Sequence, residues 1–198
     1  MTAEMTLRDH ARGAVRDEVM RHAWRLIAAQ GFEATTVDQI AEAAGMSRRT
    51  FFRYFTGKDE LVLERLEESG DLICQALVDR PAGEAAWPAL RRAFDEIVAV
   101  QEEHAGMARP LQVILRDEPA LRATVTERRR RWVALLAPAV EPRLPARRTR
   151  RGPDTRAPAL TAAAVACLET AQEAWATTTG VPLGVLLDEA MEAVAPLR

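Results

Sequence analysis

The hydrophobic positions of this chain recur at intervals of three and four almost throughout, the spacing of helices that bury one face. Val15, Val19, Ala23, Leu26 and Ile27 form one such stripe, with Trp24 at its border. It predicts a first helix from Thr6 or Ala14 to Gln30, closed by Gly31, because glycine accepts the left-handed backbone that ends a helix. A short second helix is predicted from Val37 to about Ala44, with Val37, Ile40, Ala41 and Ala44 inward and Gly45 as its stop. Met46 fills the turn as a buried side chain. Ser47 caps a third helix, Arg48 to about Tyr54, whose Phe51 and Phe55 are four apart and face inward.

Thr56-Gly57 breaks the pattern, and a long fourth helix follows from Lys58 to about Val78. Leu61, Leu66, Leu72, Ile73, Ala76 and Leu77 mark its buried side. The remainder reads as a helical bundle. Helices are expected over 84–103 (Leu90, Phe94, Ile97, Val98), over 107–115 with Pro110 early or at a kink, and from Asp117-Glu118-Pro119 onward through Leu121, Val125, Trp132, Leu135 and Leu136. Two more are expected over 159–178 and 182–194. Between them and the preceding helices, 141–158 holds four prolines, one glycine and six arginines (Arg143, Arg147, Arg148, Arg150, Arg151, Arg156), the composition of an exposed, mobile loop. The fold class is therefore all-α with about nine helices. A small three-helix helix-turn-helix domain, 1–57, is joined by the long fourth helix to an antiparallel helical domain, 58–198.

Composition agrees with this picture and narrows it. The chain of 198 residues is 48% hydrophobic and 28% charged, enough for a core and a solvated surface. No apolar run reaches the roughly 18–20 residues of a membrane span, and the N-terminus lacks the apolar stretch of a secretion signal. A cytoplasmic protein without membrane partners is expected. Cys74 and Cys167 lie inside helical patterns and read as buried free thiols. Net charge is −2, which does not by itself point to nucleic acid, but 45–58 carries Arg48, Arg49, Arg53 and Lys58 with no acid.

Two short helices joined by a glycine turn are the geometry of a helix-turn-helix, whose second helix enters the major groove. Arginine suits that groove because its fork pairs with both acceptors of guanine. A flat ring such as Phe52 can lie against a thymine methyl or the sugar-phosphate wall. Arg8, Arg12 and Arg16 offer a basic arm toward the backbone, against the plainer reading of a disordered N-terminus.

The run RLIAAQGFEATTVDQIAEAAGMSRRTFFRYFTGKDEL, within 15–66, resembles the N-terminal domain of the TetR family of transcriptional regulators. That resemblance covers about a quarter of the chain. It implies that Thr36 caps the first helix of the motif and meets a phosphate, and that Arg48 and Arg49 read bases. It also implies backbone contacts by Thr50, Tyr54 and Lys58, with Arg53 between phosphate and solvent. Phe52 stands where the family frequently has Tyr, which removes a hydroxyl and leaves an apolar contact.

The segments RDEPALRATVTERRRRW and AQEAW resemble, more weakly, the acyl-CoA-type, mycofactocin-regulator-like subgroup of that family. The implied partners are a double-stranded operator, a second copy of the chain through about 159–194, and a small apolar effector, acyl-CoA among the candidates. The run Arg128–Arg131 would then meet phosphates, although four consecutive arginines circle a helix and some must face water. An apolar pocket would draw on Trp87, Phe94, Met107, Leu111, Ile114, Trp132 and Trp175. Each of these also reads as plain core.

Function classes other than regulation are weaker. His10, His22 and His104 are isolated. No metal-ligand spacing, nucleophile elbow or phosphate-binding glycine loop is present, so neither catalysis, metal nor cofactor is expected. A protein-interaction module with a vestigial DNA-binding domain is the alternative. The expected function is a ligand-responsive repressor that leaves a near-palindromic operator when its effector binds.

Overall fold

The computed structural model describes residues 7–146 and 152–197, with the side chains of 7–10 and 62–67 left aside. These residues are all helical or irregular, as the periodicity predicts. Ten α-helices follow in order: α1 Leu7–Gln30, α2 Val37–Ala43, α3 Arg48–Phe51, α4 Lys58–Val78, α5 Ala86–Ala93, α6 Asp95–Glu103, α7 Ala105–Asp117, α8 Arg122–Val140, α9 Arg156–Thr177 and α10 Leu183–Glu192. Short 3-10 turns at Pro119–Leu121 and Glu141–Arg143 flank α8. The chain divides into two compact units, Met1–Arg65 and Leu66–Arg198, and the boundary falls inside α4.

In the first unit, α1 packs on α2 and α2 on α3. Val19, Ala23, Ile27, Phe32, Ile40, Phe51, Phe55 and Leu61 are buried around that contact. Val15, Leu26 and Met46 are only half-buried, Met46 less deep than its expected role required. Glycine closes α1 and α2. Gly31 has φ +87° and its N–H bonds to the Ile27 carbonyl at 2.8 Å. Gly45 has φ +67°; its N–H reaches Glu42 (3.0 Å) and that of Met46 reaches Ala41 (2.9 Å), the paired closure that satisfies two end carbonyls.

In the second unit, α9 is central and packs against α10, α8, α7 and α5. Ala164, Val165, Leu168, Ala171 and Trp175 line its buried side, against Leu90, Phe94, Trp132, Leu136, Leu183 and Leu187. Small side chains on α9 leave room for the ring-bearing helices around it.

Several expectations need correction. The single helix expected over 84–103 is two, parted at Phe94, which caps both with its own N–H still bonded backward to Leu90. Pro110 lies within α7. Leu72 and Leu135 are exposed rather than inward. Leu66 falls outside the described side chains. Of the segment 141–158, the 3-10 turn and the start of α9 at Arg156 are ordered structure, while 147–151 lie outside the described residues. Arg143 is not a loose loop charge: its guanidinium donates to the carbonyls of Leu77 and Arg80 (both 2.9 Å) and Pro81 (2.7 Å), at and just past the C-terminal end of α4, where a positive charge is favoured. Cys167 is buried and Cys74 half-buried, and burial pushes both thiols up, away from reactivity. No helix among the described residues is long and apolar enough to cross a membrane.

Candidate nucleic-acid interface

The candidate site is built on α2, its turn and α3. Thr36 caps α2: its hydroxyl accepts from the Gln39 N–H (3.2 Å), and the Gln39 side chain accepts from the Thr36 N–H (2.9 Å). Ser47 caps α3 in the same way through the Thr50 N–H (3.1 Å), and its hydroxyl lies 2.9 Å from that of Thr50. Regular helix stops at Phe51, shorter than the expected Arg48–Tyr54. The next residues continue in tighter turns, with Arg53 bonded back to Thr50 and Tyr54 to Phe51.

Phe51 and Phe55 are buried with ring centroids 5.3 Å apart and form the floor under this segment. Phe52 meets Phe51 edge-on at 5.5 Å and is 46% exposed, so its outer face is open to solvent. Arg48, Arg49 and Arg53 are exposed, as are Thr36 and Ser47; Thr50 and Tyr54 are half-buried. The structure thus places Arg48, Arg49, Phe52 and Arg53 together on one accessible face.

The basic groups are organised to different degrees. Arg48 donates to both oxygens of Asp38 (3.0 and 2.9 Å), and its guanidinium lies 5.4 Å from the Phe52 ring centroid. Arg53 lies over the Tyr54 ring at 5.3 Å. Arg16 is no free arm: it bonds the Tyr54 carbonyl (2.5 Å), sits 4.5 Å over the Phe55 ring and pairs with Glu60. Arg12 is exposed, 5.9 Å over Tyr54; the Arg8 side chain lies outside the described residues.

Lys58 has partners within the chain that no local pattern announces. Its ammonium donates to the carbonyls of Phe32 (2.7 Å), Thr35 (3.2 Å) and Glu33 (3.4 Å), and rests 4.2 Å from the Phe32 ring centroid. All three donors are met within the protein. Lys58 ties the start of α4 to the link that presents Thr36. Glu60 completes the start of α4 by accepting from the Thr56 hydroxyl (2.8 Å) and N–H. Partial burial pushes its carboxyl up, but the Thr56 bonds and Arg16 outweigh that and leave it below the usual glutamate range.

The second unit holds a polar cleft between α7, α8 and α9. Gln112, Leu115, Arg116, Val125, Arg128, Arg129, Glu169, Gln172 and Glu173 line about 40 Å³ of free space. That is room for a water or one small polar group. Arg128 is only 4% exposed and donates to Glu169 (2.6 Å), which also accepts from Arg129. Its Nε is buried with no acceptor among the described residues. Arg130 and Arg131 face outward and pair with Glu127 (both 2.8 Å). Each member of the four-arginine run therefore has a carboxylate partner.

The residues expected to line an apolar pocket divide by depth. Trp87, Phe94, Trp132 and Trp175 are buried, Leu111 and Ile114 half-buried, and Met107 exposed. The Trp87 indole donates to the Ala195 carbonyl (3.0 Å), and the Arg109 guanidinium covers Trp175 at 4.2 Å. None of the seven lines the polar cleft.

Residues 19–64 match the family described as bacterial regulatory proteins, tetR family, and residues 84–197 match the MftR C-terminal domain, which alone is more than half of the chain. The chain belongs to the TetR family. Among curated relatives, the HTH-type transcriptional regulator TcmR of Streptomyces glaucescens is 41% identical over 92 residues, 46% of this chain and 41% of TcmR. The HTH-type transcriptional repressor AcnR of Corynebacterium diphtheriae is 26% identical over 117 residues, 58% of this chain and 57% of AcnR. The chain thus spans only about half the length of these relatives. Among solved structures, Thermus thermophilus FadR, a TetR-family repressor in complex with lauroyl-CoA, shares the fold with a TM-score of 0.60 at 20% identity, over 90% of this chain and 92% of that one.

Proposed function

We propose that this chain is a ligand-responsive, DNA-binding transcriptional repressor. The unit formed by its first three helices reads DNA, and the second unit dimerises and takes the effector. The observation that carries the reading is the accessible face made by Arg48, Arg49, Phe52 and Arg53, on a doubly capped turn over buried Phe51 and Phe55. Such a face suits the major groove: arginine forks for base edges, a flat ring for a methyl or sugar, and Thr36 and Thr50 for phosphates. Tyr54 stays near the backbone, while Lys58 acts mainly from within.

A dimer addresses two half-sites about 34–36 Å apart. Exposed Ala159, Ala166, Ala174 and Val185 on α9 and α10 support a second copy docking there. The name of AcnR and the lauroyl-CoA held by FadR support repression and an acyl-CoA-type apolar effector. The polar cleft is the proposed seat of one polar group of that effector, met by Arg128 and Arg129, with the residues Trp87, Phe94, Met107, Leu111, Ile114, Trp132 and Trp175 as candidate walls for its chain. Effector binding shifts the population toward dimers whose recognition helices no longer match both half-sites. A protein without membrane partners, working in the cytoplasm, fits this role.

The test is binding of the full chain to the operator footprinted upstream of its own gene. Arg48→Ala and Arg49→Ala are expected to erase sequence preference, and lauroyl-CoA to release the operator. Binding that survives both substitutions unchanged would sink the base-reading role. Operator binding indifferent to acyl-CoAs of every chain length would remove that effector class.

A further inference from the structure

An aspartate stands inside the basic face. Asp38, in the first turn of α2, is exposed and would repel DNA phosphates, so its presence there costs affinity for every sequence. Its partner among the described residues of the face is Arg48. Nη1 of Arg48 donates to both Asp38 oxygens, at 3.0 and 2.9 Å, and the Phe52 ring lies 5.4 Å beneath the guanidinium. Nε and Nη2 make no hydrogen bond with a described residue. Those two groups form one edge of the guanidinium, and a two-donor edge is what the paired N7 and O6 acceptors of guanine take.

We propose that Asp38 is a positioning residue for base recognition: it holds Nη1, Phe52 supports the plane, and the remaining edge of Arg48 is presented to a guanine. A long arginine side chain otherwise spends rotamer entropy on reaching that one geometry, and it reaches phosphates as readily as bases. Pinning it before DNA arrives converts a general attraction into a preference. The inference rests on the reading of Arg48 as a base contact.

The experiment is selection of binding sites from random double-stranded DNA by the full-length protein, repeated for Arg48→Ala, Asp38→Ala and Asp38→Asn. Wild type is expected to select a guanine at one position of each half-site, and Arg48→Ala to erase it. Asp38→Ala is expected to weaken the same preference by about five-fold or more, the lower end of what a two-bond arginine–guanine pair contributes, while affinity for random DNA holds or rises. Asp38→Asn keeps one acceptor oxygen and is expected to restore part of the preference. If Arg48→Ala erases a guanine preference that Asp38→Ala leaves intact, Asp38 merely serves the α2 dipole and the proposal fails. Loss of preference at a different position would also overturn it, because Asp38 would then read a base directly. If Arg48→Ala changes no preference, the base-reading role falls first, independently of Asp38.

Discussion

Single residues on this chain carry more than one duty, and their partners reveal which dominates. Lys58 was expected to hold a phosphate, yet its ammonium already has three carbonyl acceptors. Replacing Lys58 with Ala should therefore lower the stability of the first unit by about 1–2 kcal/mol. It should also weaken all DNA sequences alike while changing the salt slope of binding by clearly less than one. A slope reduced by about one would restore the phosphate role. Glu60 gives a pH signature. Its carboxyl is held below the usual range in the folded chain, so its contribution is present above the unfolded glutamate value, about 4.3, and is lost as pH falls through the lower folded value. Thermal melts of Glu60→Gln against the parent should differ at pH 7 and converge toward pH 3.

At the scale of elements, two contacts around α8 decide how the second unit holds together. Gly70 of α4 sits against Trp132 of α8: a Cβ there would lie 2.5 Å from the indole Nε1 and 2.7 Å from Cδ1. Trp132 is 3% exposed and has nowhere to retreat. Gly70→Ala is expected to destabilise by about 1–3 kcal/mol through overpacking, although alanine favours a helix. Gly13→Ala in α1, with open space around it, should be neutral or stabilising by up to about 1 kcal/mol. Chemical denaturation of both variants checks the contrast, which equal effects would refute.

The second contact is the buried pair of Arg128 on α8 and Glu169 on α9. Arg128→Met alone leaves Glu169 buried with only Arg129 to meet it, and a loss on the order of 3–5 kcal/mol is expected. Adding Glu169→Leu should recover much of it. A double variant no more stable than the single one would show that the pair is not the source of the loss.

For the whole molecule, the proposed mode of action ties specificity to geometry between two copies. Inserting half a helical turn, about 5 bp, between operator half-sites places them on opposite faces of the duplex and should abolish high-affinity binding. Titration by fluorescence anisotropy reads this directly. Unchanged affinity would mean that one copy binds alone.

Much of this was written in local pattern. Three-and-four spacing marks α1, α2 and α4, because an amphipathic helix must bury its stripe wherever it packs. Gly31, Gly45, Thr36 and Ser47 announce their turns and caps, because those act within four residues. The exposed basic face followed from the same stretch, with Phe51 in and Phe52 out set by helical rotation alone.

What the sequence left open is long-range. Nothing local says that Arg143, among loop arginines, reaches back over sixty residues to close α4. Nor does it say which of four consecutive arginines is buried, since that depends on Glu169 arriving on another helix. Asp38 reads as an ordinary first-turn acid until Arg48 folds over it, and Lys58 as a surface charge until the α1–α2 link wraps its ammonium. Periodicity and caps determined the helices and the face they offer. Only the tertiary structure decided the partner of each charge, because a charge takes the nearest compensating group in space, whatever its distance along the chain.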